Sequence, residues 1–320
     1  MSNGSVVHYA TGVVIVFPVR EVYSREAESL EQLGTKPKFW FTDENGQRML
    51  VKADQRGTGE DWAEKIACEL CGLLGLPHVY YELAIDRDKG NPGVVCPTCS
   101  PPPMSLVLGN QLLLAHDAQY PTAARCRYKV QEHTIKAVVD VIKAIQPPPP
   151  EWLSEMPNGI VSAVDIFAGY IMLDAWIGNQ DRHHENWAAL RVENTLQLAP
   201  TFDHGAAMAR QITDQERQQR LATRDSGYGI PRFVRSARSA FYRDPETKKS
   251  MTTIEAWRVF SLYAPDASMI WLGQLRMIDD DRVRKILEEV PLNRLSGIGR
   301  DFTHRLLIEN RKRILNGDEK

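Results

Sequence analysis

Cysteine is scarce and odd in number: Cys68, Cys71, Cys96, Cys99 and Cys126 are the only five in 320 residues. An odd count does not suit a disulfide framework. The opening stretch MSNGSVVHYATGVVIVFPVREV lacks a basic n-region, and its apolar part, residues 13–19, is short. A secretory leader is therefore not expected. No apolar run approaches the roughly 18 residues of a membrane span, so no membrane partner is expected either. Charge of one sign is missing too. The formal net charge is −2, which provides neither a global basic field for direct nucleic-acid binding nor an acidic solvating tail. Internal repeats and low-complexity tracts are absent. A cytoplasmic globular protein with ample core is the expectation.

Two cysteine pairs have C-x-x-C spacing. CELC, residues 68–71, lies in DWAEKIACELCGLLGL, whose apolar positions recur at helical spacing, so its thiols read as small core residues. CPTC, residues 96–99, lies in a Pro-rich loop that better suits a zinc knuckle. Zinc spanning both pairs would need Cys68 to face outward while its neighbours pack inward.

The first ninety residues read as strands with one helix. PKFWFTDENGQRMLVKAD alternates on both sides of Asn45-Gly46, a strong hairpin signal. Residues 60–75 form an amphipathic helix ended by Gly75 and Pro77. Residues 90–104 are a Gly/Pro/Ser loop. The pattern then turns helical: EHTIKAVVDVIKAI stops at the prolines of 147–150, and SAVDIFAGYIMLDAWIG is apolar nearly all round, as a buried central helix must be. Residues 187–201 read as a hairpin, residues 211–250 as irregular and polar, and residues from Thr253 onward as amphipathic helices. The expected organisation is α+β in two lobes, a β-rich N-lobe over 1–110 and a larger helical C-lobe over 111–320, with the ligand between them.

WIGNQDRHHENW and LAPTFDHGAAM concentrate the polar chemistry. If the buried helix ends near Gly178, Asp181 and Asn186 share the loop after it, and the hairpin returns Asp203 to the same place. Asn186 and Asp203 would supply two oxygen ligands for Mg²⁺, which completes its shell with water and substrate phosphates. Asp181 would accept a proton from an attacking hydroxyl. This is a phosphoryl-transfer layout. It requires a cation on the nucleotide phosphates, for which Lys52 at the end of the hairpin fits, and a helix glutamate to orient that lysine, with Glu64 the first choice and Glu60 the second. Residues 34–40, with Gly34 and Thr35, are a candidate phosphate-covering turn. The competing reading makes His183, His184 and His204 part of a His/Asp metal cluster for hydrolysis. Against it, His183 braces the catalytic loop by hydrogen bonds while His184 and His204 line its edge. Asp174, buried in the apolar helix, must tie down loop amides or a histidine. Residues 201–250 hold ten Lys/Arg and six Asp/Glu, including RFVRSARSAFYR, and form either a substrate platform or a solvated loop. Ser29, Thr35, Ser226, Ser236 and Ser239 are candidate self-phosphorylation sites.

The stretches LGTKPKFWF, LVKAD, GEDWAEKIACELCGLLGLP, LDAWIGNQDRHHEN and LAPTFDHGAAM, with the tail GRDFTHRLLIENRKRIL, resemble the HipA-like serine/threonine kinases over most of the chain, in their compact form without the extra N-terminal subdomain. The resemblance implies a two-lobed protein-kinase-like fold and transfer of the γ-phosphoryl group of ATP, with Mg²⁺, to Ser or Thr of a protein. It implies Asp181 as the base, Asn186 and Asp203 as metal ligands, Lys52 on the phosphates, and adenine near SLVLGN, where Leu108 and Gly109 lie. A toxin role with an antitoxin partner is implied as well. The insert CPTCSPPP departs from the family pattern. Two alternatives stay open: a phosphotransferase of the same fold acting on a small molecule or lipid headgroup, and a catalytically weak nucleotide-binding partner protein.

Overall fold

The computed structural model describes residues 6–9, 12–30, 38–54, 57–122 and 129–316. Gly34, Thr35 and Cys126 lie outside the described residues. Strands β1 (Val6–Tyr9) and β2 (Gly12–Ile15) form an antiparallel pair. A mixed sheet follows, built from β3 (Val19–Val22), β4 (Ser29–Leu30), β5 (Lys38–Thr42), β6 (Arg48–Ala53), β7 (Glu82–Asp86) and β8 (Asn91–Pro97) in the order β3-β7-β8-β6-β5-β4. Only β3 and β7 run parallel. Helix α1 (Glu60–Leu74) packs against β7 and β8.

The β5–β6 hairpin forms where Asn45-Gly46 predicts it. Gly46 takes φ 75°, and the Asp43 carboxylate accepts the N–H groups of Asn45 and Gln47. Its register sets Lys38 directly opposite Lys52. Asp54 then turns the chain into α1 by accepting the N–H groups of Thr58, Gly59 and Glu60, so a carboxylate four to six residues upstream satisfies the first donors at the start of the helix.

The second part holds β9 (Ser105–Leu108), α2 (Gly109–His116), α3 (Ile135–Ile142), α4 (Ala163–Ile177), β10 (Ala188–Val192), β11 (Thr195–Leu198), α5 (Asp214–Ala222), α6 (Ile230–Val234), α7 (Thr253–Ser261), α8 (Pro265–Met277), α9 (Asp280–Glu289) and α10 (Gly297–Asn316). Three findings depart from the pattern reading. Strand β8 lies where a loop was expected over 90–104, because it pairs with β6 and β7 and packs Val94, Val95 and Cys96 into the core. Residues 211–250 contain α5 and α6 where irregular chain was expected, because Thr213 caps α5 and Arg217 and Arg220 pair with acids one turn back. Strand β9 lies before the expected lobe boundary at 110, yet it pairs with β10 in a three-stranded sheet, β11-β10-β9.

Helix α4 is the axis of the core. All of its residues except Asp165 are buried, as an all-round apolar sequence requires. Ser162 and Asp165 form a capping box at its start, and Gly178 at φ 65° closes its end. Helices α7, α8 and α10 pack around it. The Trp271 indole sits against Gly169 and donates to the Asp165 carbonyl at 2.8 Å. A Cβ on Gly169 would fall 2.5 Å from Leu76 and 2.7 Å from Trp271, whereas one on Gly273 of α8 meets nothing within 4 Å. We therefore expect Gly169→Ala to lower unfolding stability by about 1–3 kcal/mol through overpacking and Gly273→Ala to raise it by about 0.5–1 kcal/mol through helix propensity. Urea titrations of both variants test this, and equal midpoints would contradict the packing described.

Candidate active site

The loop after α4 is built on one buried ion pair. Arg182, 1% exposed, is surrounded by core side chains. It meets Asp174 with a two-pronged contact: Nε donates to Oδ2 at 2.8 Å and Nη2 to Oδ1 at 2.9 Å. Burial opposes the charge, but the Asp174 carboxylate more than offsets it and holds the guanidinium above its ordinary pKa. The remaining nitrogen, Nη1, donates to the carbonyls of Asn186 at 2.8 Å and Phe202 at 3.4 Å. Asp174 also accepts from Asn179 Nδ2 at 2.8 Å, and Asn179 Oδ1 receives the Asp181 N–H at 3.1 Å. The partners of Asp174 are thus an arginine and an amide rather than a histidine.

This frame presents Asp181 and Asn186 on the wall of a cleft of about 350 Å³ between the six-stranded sheet and the helical part. Asn186 Nδ2 donates to the Asp181 carbonyl at 2.6 Å, which ties the ends of the loop together. The Asp181 side chain stays 45% exposed. His183 Nε2 lies 3.7 Å from Asp181 Oδ1, and its Nδ1 accepts the Glu185 N–H at 3.1 Å. His184 is turned away to Tyr120 Oη at 2.9 Å, and His204 meets Thr201 Oγ1 at 2.8 Å. The three imidazoles serve separate contacts. Among the described residues no group of three or more His, Cys, Asp or Glu is arranged to hold a metal ion. The four described cysteines are free thiols. Burial pushes Cys68 and Cys96 up to about 12 and Cys99 to about 11.

Asp203 enters from the other side. The chain after β11 is held by paired backbone bonds, Thr201 N–H to the Pro77 carbonyl at 2.9 Å and Val79 N–H to the Thr201 carbonyl at 3.0 Å. Asp203 itself takes φ 62°, a left-handed conformation uncommon for a non-glycine residue. Its Oδ1 accepts from Lys52 Nζ at 3.1 Å. Lys52 also donates to Tyr81 Oη at 2.9 Å and lies 3.7 Å from Glu64 Oε2. Burial disfavours the ammonium ion, yet Asp203 and Glu64 hold Lys52 well above its ordinary pKa. Burial likewise opposes ionisation of Glu64, and Lys52 brings its pKa down. The two Glu64 oxygens accept the N–H groups of His204 at 2.8 Å and Gly205 at 3.1 Å. Of the two candidate glutamates Glu64 meets the lysine, while Glu60 pairs with Arg210.

Pattern reading missed Lys38. It lies opposite Lys52 in the hairpin, and its Nζ is 3.9 Å from Asp203 Oδ2 with the side chain only 12% exposed. The Asn-Gly turn that fixes the register was the signal that would have found it. Leu108 lines the cleft with Val79, Leu106 and Phe202. Gly109 does not line it; it opens α2 against Trp187, where a Cβ would fall 2.2 Å from the indole. Packing, not ligand contact, thus explains that glycine.

Together these elements make a kinase-like α+β fold with a polar cleft between a sheet and a helical body. No family model matches the chain. Over 156 residues it is 27% identical to the serine/threonine-protein kinase CtkA of Helicobacter pylori, covering 47% of this chain and 44% of that one. The chain therefore spans less than half of that relative's length in the sequence match. The crystal structure of the Helicobacter pylori proinflammatory kinase CtkA superposes with a TM-score of 0.69 at 20% identity, over 93% of this chain and 96% of that one. HipA of Shewanella oneidensis, solved with HipB and operator DNA, gives a TM-score of 0.52 at 12% identity, over 90% of this chain and 65% of that one. The resemblance to the HipA-like kinases is borne out: the chain has their fold and a sequence relative among them.

Removing one partner of the loop's ion pair should be costly. Asp174→Ala strands a buried guanidinium and should lower stability by about 3–5 kcal/mol, whereas the double variant Asp174→Leu/Arg182→Met should recover most of that loss in urea unfolding. A second test uses His133, buried beneath the loop. Its Nε2 accepts from Trp187 Nε1 at 3.3 Å and its Nδ1 faces the Ala240 carbonyl at 3.2 Å, a neutral tautomer. Burial and the neighbouring His184 push its pKa down to about 3. With the folded value below the unfolded one, its contribution is full above about pH 6.5 and is lost as pH falls towards 3, at up to ~1.4 kcal/mol per pH unit. His133→Gln should flatten that slope in denaturation measured from pH 7 to pH 4; an unchanged slope would contradict the buried neutral state.

Proposed function

We propose that the protein is an ATP- and Mg²⁺-dependent kinase that transfers the γ-phosphoryl group to a Ser or Thr hydroxyl of a protein. One observation carries the reading. A lysine–glutamate–aspartate cluster, Lys52, Glu64 and Asp203, anchored on the buried Glu64, meets an exposed carboxylate, Asp181, and an amide, Asn186, across one cleft. The lobes divide near residue 110 in this reading. The apolar wall at Val79, Leu106, Leu108 and Phe202 takes the base.

Lys52 is held charged between two carboxylates and supplies its ammonium to the phosphate oxygens. Lys38, on the neighbouring strand, adds a second cation on the same side. The donor set fits a hard divalent ion. The Asn186 amide nitrogen is already committed to the Asp181 carbonyl, which leaves its side-chain oxygen, and Asp203 adds a carboxylate. Bound there, Mg²⁺ would neutralise charge on the phosphates. Asp181 orients the acceptor hydroxyl and takes its proton as the new oxygen–phosphorus bond forms and the bond from the γ-phosphorus to the bridging oxygen breaks, leaving ADP. His183 braces Asp181 and does not itself take the proton.

The sequence match to a protein kinase favours a protein acceptor over a small molecule or lipid headgroup. The fold shared with HipA, a toxin–antitoxin component, motivates an antitoxin partner and a cytoplasmic toxin role, tested by growth arrest on expression and by a co-purifying partner. Label transfer from γ-labelled ATP is the central experiment. Asp181→Asn and Asp203→Asn should each reduce transfer by at least about 10²-fold while leaving the melting temperature nearly unaltered, and a metal chelator should abolish it. Full activity in both variants would sink the assignment.

A further inference from the structure

A second cavity, of about 320 Å³, opens on the far side of Asp181 and His183 from the nucleotide cleft. The same two side chains line both spaces, so they form a shared wall. The second cavity runs between the chain at 129–133 and the chain at 238–242. Both sides are fixed by backbone bonds: Tyr242 N–H to the His133 carbonyl at 3.0 Å, Ser239 N–H to the Met251 carbonyl at 2.8 Å, and Thr253 N–H to the Ala237 carbonyl at 3.1 Å. Its charged lining is one-sided. Lys129 and Arg238 face it, and Asp181 is the only carboxylate among its described lining residues. The Arg238 Nε is buried with no hydrogen-bond partner among the described residues. Glu255 lies near Arg238 and Arg243, but its carboxylate is taken up by the Thr252 N–H at 2.7 Å and the Thr252 hydroxyl at 3.0 Å.

The charge extends beyond the cavity. Residues 201–230 carry equal numbers of cations and carboxylates, and Arg210, Arg217 and Arg220 are spent on ion pairs. Residues 231–250 carry six Lys/Arg against two Asp/Glu, so the whole surplus of the segment lies around Arg238. Resting on the kinase reading above, we propose that this cavity is the acceptor subsite, and that the substrate class is a Ser or Thr flanked by Asp or Glu, with the flanking carboxylate on Arg238 and Lys129. Asp181 faces the hydroxyl, and the cations beyond it offset the repulsion that an acidic segment would meet there. An RNA strand suits the cavity less well: the chain as a whole carries −2, which provides no global basic field for a phosphate backbone.

The test is fluorescence anisotropy with labelled Ser peptides flanked by Glu, Gln or Lys, and with an RNA oligonucleotide, on the full chain. The Glu peptide should bind at least about tenfold more tightly than the Gln peptide, and more tightly than the RNA. Arg238→Glu should remove that advantage while leaving Gln-peptide binding in place. Lys129→Glu, at an exposed position, should act the same way and guards against a folding defect in the first variant. Equal binding of Glu and Gln peptides, an unaltered preference in both variants, or tighter binding of RNA would overturn the proposal. Label transfer from γ-labelled ATP, run in parallel on the same peptides, separates the two readings. Acidic-peptide binding without transfer keeps the subsite and defeats the kinase reading, whereas transfer without acidic preference does the reverse.

Discussion

Asp174 and Arg182 form a dry ion pair on which both halves of the site depend. Taking two charges out of water costs several kcal/mol each, and the pair is tolerable only because every prong is used. Asp174 receives three donors, two from Arg182 and one from Asn179. The last arm of Arg182 reaches the carbonyls of Asn186 and Phe202, one the candidate metal ligand itself and the other the neighbour of Asp203. One guanidinium thus fixes the spacing between two loops 20 residues apart in the chain. A hydrophobic pair of the same volume could fill the space, but it could not hold two carbonyls in register. In this protein the ion pair is worth more as a geometric device than as a source of stability.

Glu64 does the corresponding work for the sheet. Its carboxylate accepts the N–H groups of His204 and Gly205 and stands beside Lys52, so helix α1, strand β6 and the segment after β11 meet at one buried anion. Asp54 and Asp61 anchor the same helix. Asp54 satisfies its first N–H groups, and Asp61 pairs with Arg294 at 2.6 Å, tying α1 to the chain between α9 and α10. Lys52 is therefore held by contacts from three directions before any ligand is present, which is what preorganised electrostatic stabilisation requires.

Local patterns were legible in the chain, and pairings were not. The Asn45-Gly46 hairpin, the helix from Glu60, the buried α4 and the return hairpin through β10 and β11 follow from turn chemistry and periodicity, which are properties of neighbours in sequence. Lys52, Glu64, Asp181, Asn186 and Asp203 were legible as a set because their order along the chain is itself informative. Arg182 was not, since an arginine in a polar loop reads as solvated and only the buried Asp174 beneath it says otherwise. Lys38 needed the strand register. Gly109 read as a ligand contact, whereas its lack of a side chain is required by Trp187, an indole 78 residues away in sequence.

The crowding of histidines in and around the loop after α4 has a physical explanation in the same terms. An imidazole can both donate and accept while neutral, so it can satisfy buried groups without importing a charge. His133 does this between Trp187 and Ala240, His184 reaches Tyr120, and His204 reaches Thr201. Lysines or carboxylates in those places would each need a partner of opposite charge within a shell already holding Asp174, Arg182, Lys52, Glu64 and Asp203. The loops that present Asp181, Asn186 and Asp203 are thereby packed against rings whose nitrogens meet hydroxyl, indole and carbonyl partners. Imidazoles within a few residues of a carboxylate need not signal a metal: here Asp181, Asn186 and Asp203 line the cleft, while His184 and His204 meet the hydroxyls of Tyr120 and Thr201.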